Sequence, residues 1–238
     1  MRDIVTIPIT TREALIIASD NSGAIGMKHE DLVKVPYETV AYYSFRVAAM
    51  ECIAAGGEPI SVVLHNFCGN EPWEELVKGI QTGLGELGLN GVSITGSTES
   101  NFSLNQSAVG LIVIGKKEKN SASQVLLSEN VNVAIIGMPL VGNEIVEQQY
   151  NVAPLSIFQE ISRLNEVVIF PVGSKGILYE MNQLFSNVVL GKENLRTDVE
   201  VLKSSGPSTC FIVVYQEGHT EKIRKAAGDY FHPLKIEF

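Results

Sequence analysis

Ile16-Ile17-Ala18-Ser19-Asp20-Asn21-Ser22-Gly23-Ala24-Ile25-Gly26 decides how the chain reads, because an apolar run stops there on a carboxylate and gives way to small, turn-forming residues. Asp20 closes a strand-like segment, Ala14 to Ser19, and Asn21, Ser22, Gly23 and Gly26 allow tight turns with exposed N–H groups. An ordinary Asx-turn is the alternative at this point. Two further segments set an acid among small or polar residues: Met50-Glu51-Cys52, within the apolar run Val47 to Ala55, and Thr95-Gly96-Ser97-Thr98-Glu99-Ser100-Asn101, after the strand-like Val92 to Thr95. Carboxylate oxygens suit Mg²⁺ and closely approaching N–H groups suit phosphates, so the three segments predict a magnesium and triphosphate site without a conventional P-loop. Singly, Glu51 reads as solvent-facing or functional, and Glu99 as a capping acid or a ligand; the constellation carries more than any member.

Compact apolar runs and helical patterns alternate around these segments. Ile4 to Ile9 and Ala14 to Ser19 read as strands, Tyr37 to Ala55 as a long helix, Ile60 to Phe67 as a strand and Glu74 to Leu87 as a second helix. Val92 to Thr95 and Ala108 to Gly115 add two strands. Pro72 suits a helix start, where a missing N–H costs little. Lys116 to Ser123 is polar and free of large apolar residues, and it marks a junction between domains at residues 1–117 and 124–238. Beyond it, Val131 to Gly137, Val167 to Val172, Glu200 to Leu202, Phe211 to Tyr215 and Leu234 to Phe238 read as extended, and Pro154 to Leu164, Ser174 to Phe185 and Thr220 to Tyr230 as helical. Two α+β domains of similar size are expected.

Several other motifs have a bland reading beside a functional one. Gly83-Leu84-Gly85-Glu86-Leu87-Gly88 matches G-x-G-x-x-G, but it follows a helix and precedes a strand, the reverse of the dinucleotide-binding context. Gly79 and Gly83, one turn apart, mark close packing of that helix against another backbone. His65-Asn66 ends a strand at a polar break and is a structural pair or a substrate contact. Lys28, Lys34 and Arg46 are cations for a phosphate, Arg46 foremost because it interrupts an apolar helix. Gly173-Ser174-Lys175-Gly176 lacks P-loop spacing, yet a Gly-rich helix start binds anions through free N–H groups. Ser204 to Thr209 reads as a plain turn or a second loop of that kind.

Bulk properties bound the setting. The 238 residues, 45% apolar and 19% charged, can bury a substantial core. A net charge of −9 argues against a general nucleic-acid binder, whose backbone affinity comes from clustered Lys and Arg. Cys52, Cys68 and Cys210 are too scattered for a disulfide framework or a zinc site, which fits a reducing cytoplasm. Neither a signal peptide at Met1-Arg2-Asp3-Ile4 nor a membrane-spanning stretch is read.

The order of motifs resembles the aminoimidazole ribonucleotide synthetase-like superfamily, which includes selenophosphate synthetase, thiamin monophosphate kinase and a hydrogenase maturation protein. The resemblance runs through the Asp20 segment, Met50-Glu51-Cys52-Ile53-Ala54-Ala55-Gly56-Gly57-Glu58-Pro59, Gly96-Ser97-Thr98-Glu99 and Val172-Gly173-Ser174-Lys175-Gly176. Through Tyr42-Tyr43-Ser44-Phe45-Arg46-Val47-Ala48, His65-Asn66-Phe67-Cys68-Gly69 and Ser93 to Asn101, the chain looks most like the short bacterial α-ribazole kinases of cobalamin lower-ligand salvage. The resemblance implies a two-domain α+β fold, a homodimer pairing its N-terminal sheets, and ATP bound with Mg²⁺ near that interface. It implies Asp20 and Glu51 as metal acids, with Glu51 replacing the usual Asp. Ser97 stands where many members carry an acid directly after the Gly, and Glu99 follows two residues later as a third metal candidate. ATP contacts then fall to Ser22, Gly23, Gly26, Gly96, Ser97, Thr98, Gly173 and Lys175, and substrate contacts to His65, Asn66 and Asn101. Asp20, Glu51, Arg46 and His65 form the expected catalytic set, transferring phosphate to the ribose 5-hydroxyl of α-ribazole. A thiamin monophosphate kinase-like enzyme and a non-catalytic nucleotide-binding protein are the alternatives.

Overall fold

The computed structural model describes residues 4–118, 128 and 131–237. Two compact units divide the chain, residues 2–120 and 121–238. The polar junction segment begins inside a strand, and residues 119–123 of it lie outside the described residues, as do Met1 to Asp3 and Phe238.

The first unit runs β1 (Ile4–Pro8), β2 (Glu13–Gly23), β3 (Ile25–Gly26), β4 (Val33–Lys34), α1 (Tyr37–Ala54), β5 (Glu58–Asn66), α2 (Trp73–Glu86), β6 (Ser93–Thr98) and β7 (Ala108–Glu118). Five strands form one sheet in the order β1-β2-β7-β5-β6, and β3 pairs with β4 apart from it. All neighbours in the sheet are antiparallel except β5 and β6, which α2 joins as a parallel pair. Side chains alternate along each strand, so Ala14, Ile16 and Ala18 of β2, Val109, Leu111 and Val113 of β7, and Val62 and Leu64 of β5 are buried on one face. That face packs on α1, whose buried residues include Ala41, Phe45, Ala48, Ala49 and Met50. Each large side chain buried this way contributes about 1.5–3 kcal/mol.

The two helices meet backbone to backbone. A Cβ placed on Gly79 of α2 would lie 2.1 Å from the Glu38 carbonyl oxygen of α1, so only glycine permits the crossing. Leu76, Ile80 and Leu84 continue the buried stripe at helical spacing. Gly83 and Gly85 both lie inside α2, where the dinucleotide-motif match has no meaning.

Two expected loops are strands. β2 does not stop at Ser19 but carries Asp20 to Gly23 in unbroken register with β7, from Glu13 opposite Glu118 to Gly23 opposite Ala108. Likewise β6 extends through Gly96, Ser97 and Thr98, which pair with Leu64, His65 and Asn66. A waiting partner strand overrides polar local sequence in both places. The true turn follows at Ala24, whose φ of 59° is left-handed.

The second unit runs β8 (Val131–Ile136), α3 (Asn143–Glu147), α4 (Leu155–Ser162), β9 (Val168–Pro171), α5 (Gly176–Leu184), β10 (Leu195–Arg196), β11 (Phe211–Gln216), α6 (Thr220–Ala227) and β12 (Phe231–Ile236). Its sheet, β10-β12-β8-β11-β9, is antiparallel throughout. Phe211 to Tyr215 of β11 is buried along its whole length, which explains its continuous apolar run. Glu200 to Leu202 is a turn rather than an extended segment, and the short edge strand is β10.

Candidate functional site

Strand pairing in the first unit stacks the candidate residues in rows. Asp20, Leu111, Leu64 and Gly96 form one cross-strand row, and Ser22, Val109, Asn66 and Thr98 form the next, both on the face that carries α1. Between them, Asn21, Gly110, His65 and Ser97 form a row on the opposite face. Asp20 is half-buried beside fully buried Ala18, whereas His65 and Ser97 are exposed. The pleat therefore separates residues that the sequence groups together: Asp20, Ser22 and Thr98 lie on one side, His65 and Ser97 on the other.

Beyond this end of the sheet, three loops enclose a cleft of about 450 Å³. They are the segment after β3, the segment after β5 and the segment after β6, so the cleft opens at the carboxyl ends of the parallel pair, where α/β sheets habitually place ligands. Asp31 fastens the first loop. Its carboxylate accepts hydrogen bonds from Lys28 N at 2.8 Å, and from Ser107 N and Ser107 Oγ, each at 2.6 Å. Burial raises the Asp31 carboxyl, but the Ser107 and Lys28 hydrogen bonds and the Lys34 charge outweigh it and hold the group below its ordinary value. Lys28 Nζ donates to the carbonyls of Phe67 at 3.2 Å and Leu104 at 2.9 Å, tying all three loops together. Gln106 Nε2 donates to the Glu30 carbonyl at 2.8 Å and reinforces the same closure.

Several candidate residues are already engaged in this framework. Asn66 is 1% exposed, donates to Gly69 O and Thr98 Oγ1, and accepts from Cys68 N. With its amide committed, Asn66 shapes the turn after β5 instead of reaching a substrate. Glu99 Oε1 accepts from Asn101 N at 2.7 Å and Phe102 N at 3.3 Å, so this acid caps the turn after β6 while lining the cleft. Gly96 is needed for strand approach, since a Cβ there would sit 2.0 Å from the Leu64 carbonyl oxygen. Nor do Ser22, Gly23 and Gly26 form an open nest of N–H groups: β2 pairs through Gly23, and Ala24 N donates to Ser107 O at 2.8 Å.

The remaining acid and cation lie deeper. Glu51 is 4% exposed and neighbours Cys52, whose Sγ packs at Gly115. Gly115 lies four residues beyond Leu111 on β7, about 13 Å at strand rise, so Glu51 and Asp20 sit at different levels of the sheet. Arg46 is fully buried on α1. Burial raises the Tyr42 and Tyr43 hydroxyls above their ordinary range, the Arg46 charge opposes that rise and Glu86 adds to it. Arg46 thus lies within electrostatic reach of the tyrosine cluster at the edge of α2, where Tyr42 Oη donates to Glu86 at 2.9 Å. Among the described residues, no group of three or more His, Cys, Asp or Glu side chains is arranged to hold a metal ion.

Gly173 and Lys175 belong to the second unit. Gly173 N donates to Glu180 Oε1 at 3.4 Å, and Gly173 O accepts from Gly176 N and Ser205 N. Lys175 precedes α5 and lies over the Tyr179 ring at 4.4 Å, while the helix start itself is closed: Gly176 N donates to Gly173 O, Leu178 N donates to Val201 O, and Gly176 is buried against Leu202 and Lys203. Ser204 to Thr209 is a turn whose Ser205 and Thr209 hydroxyls meet at 2.8 Å.

No known family profile and no curated protein matches the sequence. Structural likeness is extensive. T. maritima PurL complexed with AMPPCP matches 98% of this chain with a TM-score of 0.60 and 15% identity. The hydrogenase maturation protein HypE matches 99% of this chain and 84% of its own, with a TM-score of 0.62 and 12% identity. The protein tt0281 from Thermus thermophilus matches 98% and 84% of the two chains, with a TM-score of 0.62 and 15% identity. The chain has the aminoimidazole ribonucleotide synthetase-like fold. It spans 42% of the length of PurL. At these identities the likeness is one of architecture, and it agrees with the α+β organisation expected from the motif order. PurL has also been solved with ADP, and HypE in complex with ATP. Among the described residues, no helix is long and apolar enough to cross a membrane.

Sequence reading missed the Asp31–Ser107 clasp and the aromatic lining of the cleft, Phe67 and Phe102. Asp31 offered no signal within Lys28-His29-Glu30-Asp31, since its partner lies 76 residues away. Phe102 did offer one, as a lone aromatic within a polar loop.

Proposed function

We propose that the chain is an ATP-dependent phosphotransferase that phosphorylates the ribose 5-hydroxyl of α-ribazole. The observation that carries the reading is the shared fold with PurL and HypE, whose structures hold AMPPCP, ADP and ATP. Phosphoryl transfer asks a protein chiefly for positioning and charge neutralisation. Magnesium keeps several waters and takes only one or two carboxylates besides substrate phosphates, so half-buried Asp20 at the sheet end fits such an ion without a cluster of three acids. When bound, the ion offsets phosphate charge. Glu51 and Arg46, both buried on α1, are the further acid and cation of the expected set. Lys28 borders the cleft, where the Phe67 and Leu104 carbonyls hold its ammonium, and Lys175 is an exposed cation of the second unit. The acceptor hydroxyl enters from the cleft side, near Glu99 and Asn101.

The outer face of the first sheet exposes Val5 and Ile7 of β1 and Ile60 of β5, an apolar surface suited to a second copy of the chain. A homodimer in the cytoplasm, with reduced thiols, follows from this reading. Purified protein incubated with Mg·ATP, α-ribazole, thiamin monophosphate and selenide, followed by mass spectrometry, tests the activity. Phosphate on α-ribazole alone is the expected result; modification of another acceptor, or of none, overturns the assignment. Asp20→Asn is expected to lower turnover at least 100-fold, a loss of about 2.7 kcal/mol or more in transition-state stabilisation.

One observation favours a second reading, nucleotide binding without turnover. Ser97 occupies the usual acidic position and faces away from Asp20, while Glu99 caps a turn. Mg²⁺-dependent ATP binding with no acceptor modified would select it.

A further inference from the structure

We propose that the cleft at the carboxyl ends of β5 and β6 binds an uncharged aromatic nucleoside, its planar base held between Phe67 and Phe102. That this nucleoside is the phosphoryl acceptor rests on the phosphotransferase reading; the binding itself does not. Phe67 and Phe102 line the cleft from two different loops, and they are 41% and 78% exposed. Two large aromatic rings left in water at one concave site offer faces on which a planar heterocycle stacks. The cleft volume of about 450 Å³ falls within the range of small-molecule sites.

Charge selects among planar ligands. Lys28 and His29 line the cleft with Glu30 and Glu99, so its ionisable groups nearly balance and no cluster of cations faces the interior. The Lys28 ammonium is already engaged with two carbonyls. A phosphate dianion placed here would meet two carboxylates, whereas the hydroxyls of a neutral sugar would find acceptors in Glu30 and Glu99 and donors in the Asn70 side chain. The walls are fixed before any ligand arrives, by Lys28, by the Asn66 amide and by the Glu99 cap. The cleft therefore distinguishes a nucleoside from its 5-phosphate, the relation that a kinase acceptor site requires between substrate and product.

Isothermal titration of the full chain without ATP tests the assignment, with α-ribazole, adenosine, inosine, α-ribazole 5-phosphate and free ribose as probes. At least one nucleoside is expected to bind, with its 5-phosphate and ribose about tenfold or more weaker. Phe102→Ala and Phe67→Ala should each raise Kd about tenfold, and Phe102→Tyr should restore binding. The thermal melt of Phe102→Ala and ATP titrations on both variants should match the unsubstituted protein, because Phe102 is largely exposed. Nucleoside affinity unchanged by both Phe→Ala variants overturns the proposal, as does ATP binding with no nucleoside bound. Phenylalanine-dependent nucleoside binding without phosphate transfer from Mg·ATP supports the cleft and removes the kinase reading. Phosphate transfer indifferent to both variants keeps the kinase and removes the cleft.

Discussion

Asp31 gathers three short hydrogen bonds onto one carboxylate and so ties the loop after β3 to the start of β7. Hydrogen bonds to a charged group are each worth about 1.5–3 kcal/mol. Asp31→Asn keeps the shape but loses the charge and is expected to lower unfolding free energy by about 2 kcal/mol in urea titration. The native carboxyl lies below its ordinary value of 3.8, so the stabilisation is complete above that value and is lost as pH falls through the lowered native one. The acid limb of the stability profile should flatten in the variant. Thiol reactivity divides in a similarly local way. Burial pushes the Cys52 thiol up to about 12, and Cys210 is fully buried, whereas Cys68 is half-buried at the cleft. Titration with a thiol reagent at pH 8 should find one fast group in the native protein and three in denaturant, with Cys68→Ser removing the fast one. Neither result was legible beforehand. A strand pattern reveals which face a residue takes, but not which distant hydroxyl it meets.

The elements divide into those governed by their own residues and those governed by neighbours. α1, α2, β5 and β11 emerge close to the expected spans because apolar periodicity and Pro72 belong to the segments themselves. β2 and β6 outrun their apolar runs because β7 and β5 offer continuous register, a fact absent from the local sequence. That extension turns two expected phosphate loops into ladder and moves Asp20 onto the helix-bearing face. The glycines of α2 separate the two kinds of cause cleanly. Gly79→Ala gains helix propensity but drives a methyl into the Glu38 carbonyl, and should destabilise by about 1–3 kcal/mol. Gly85→Ala meets nothing within 4 Å, and should stabilise by up to about 1 kcal/mol. Equal effects of the two substitutions on the urea midpoint would show that α1 and α2 do not cross at Gly79.

Across the whole molecule, the α+β organisation expected from the order of motifs agrees with the architecture of solved structures whose sequence identity is 15% or lower. The cleft proposed for the acceptor was less legible, since its lining comes from loops whose proximity depends on long-range pairing. The exposed face of the first sheet offers a test at this scale. Val5→Lys with Ile7→Lys places two charges on a surface facing away from the core, so the fold should survive. Light scattering should find a dimer for the parent chain and a monomer for the variant; a monomeric parent would remove the proposed pairing.

The Lys28 clasp has a consequence for how the cleft responds to temperature. One ammonium bridges three loops that Asp31 and Gln106 also fasten, so its share of the entropy of ordering them is lost during folding, before a ligand is met. Replacing Lys28 by Met would transfer that loss to the binding step. Affinity would then weaken more steeply on warming, through a more negative binding entropy, even where the closed cleft presents the same surface.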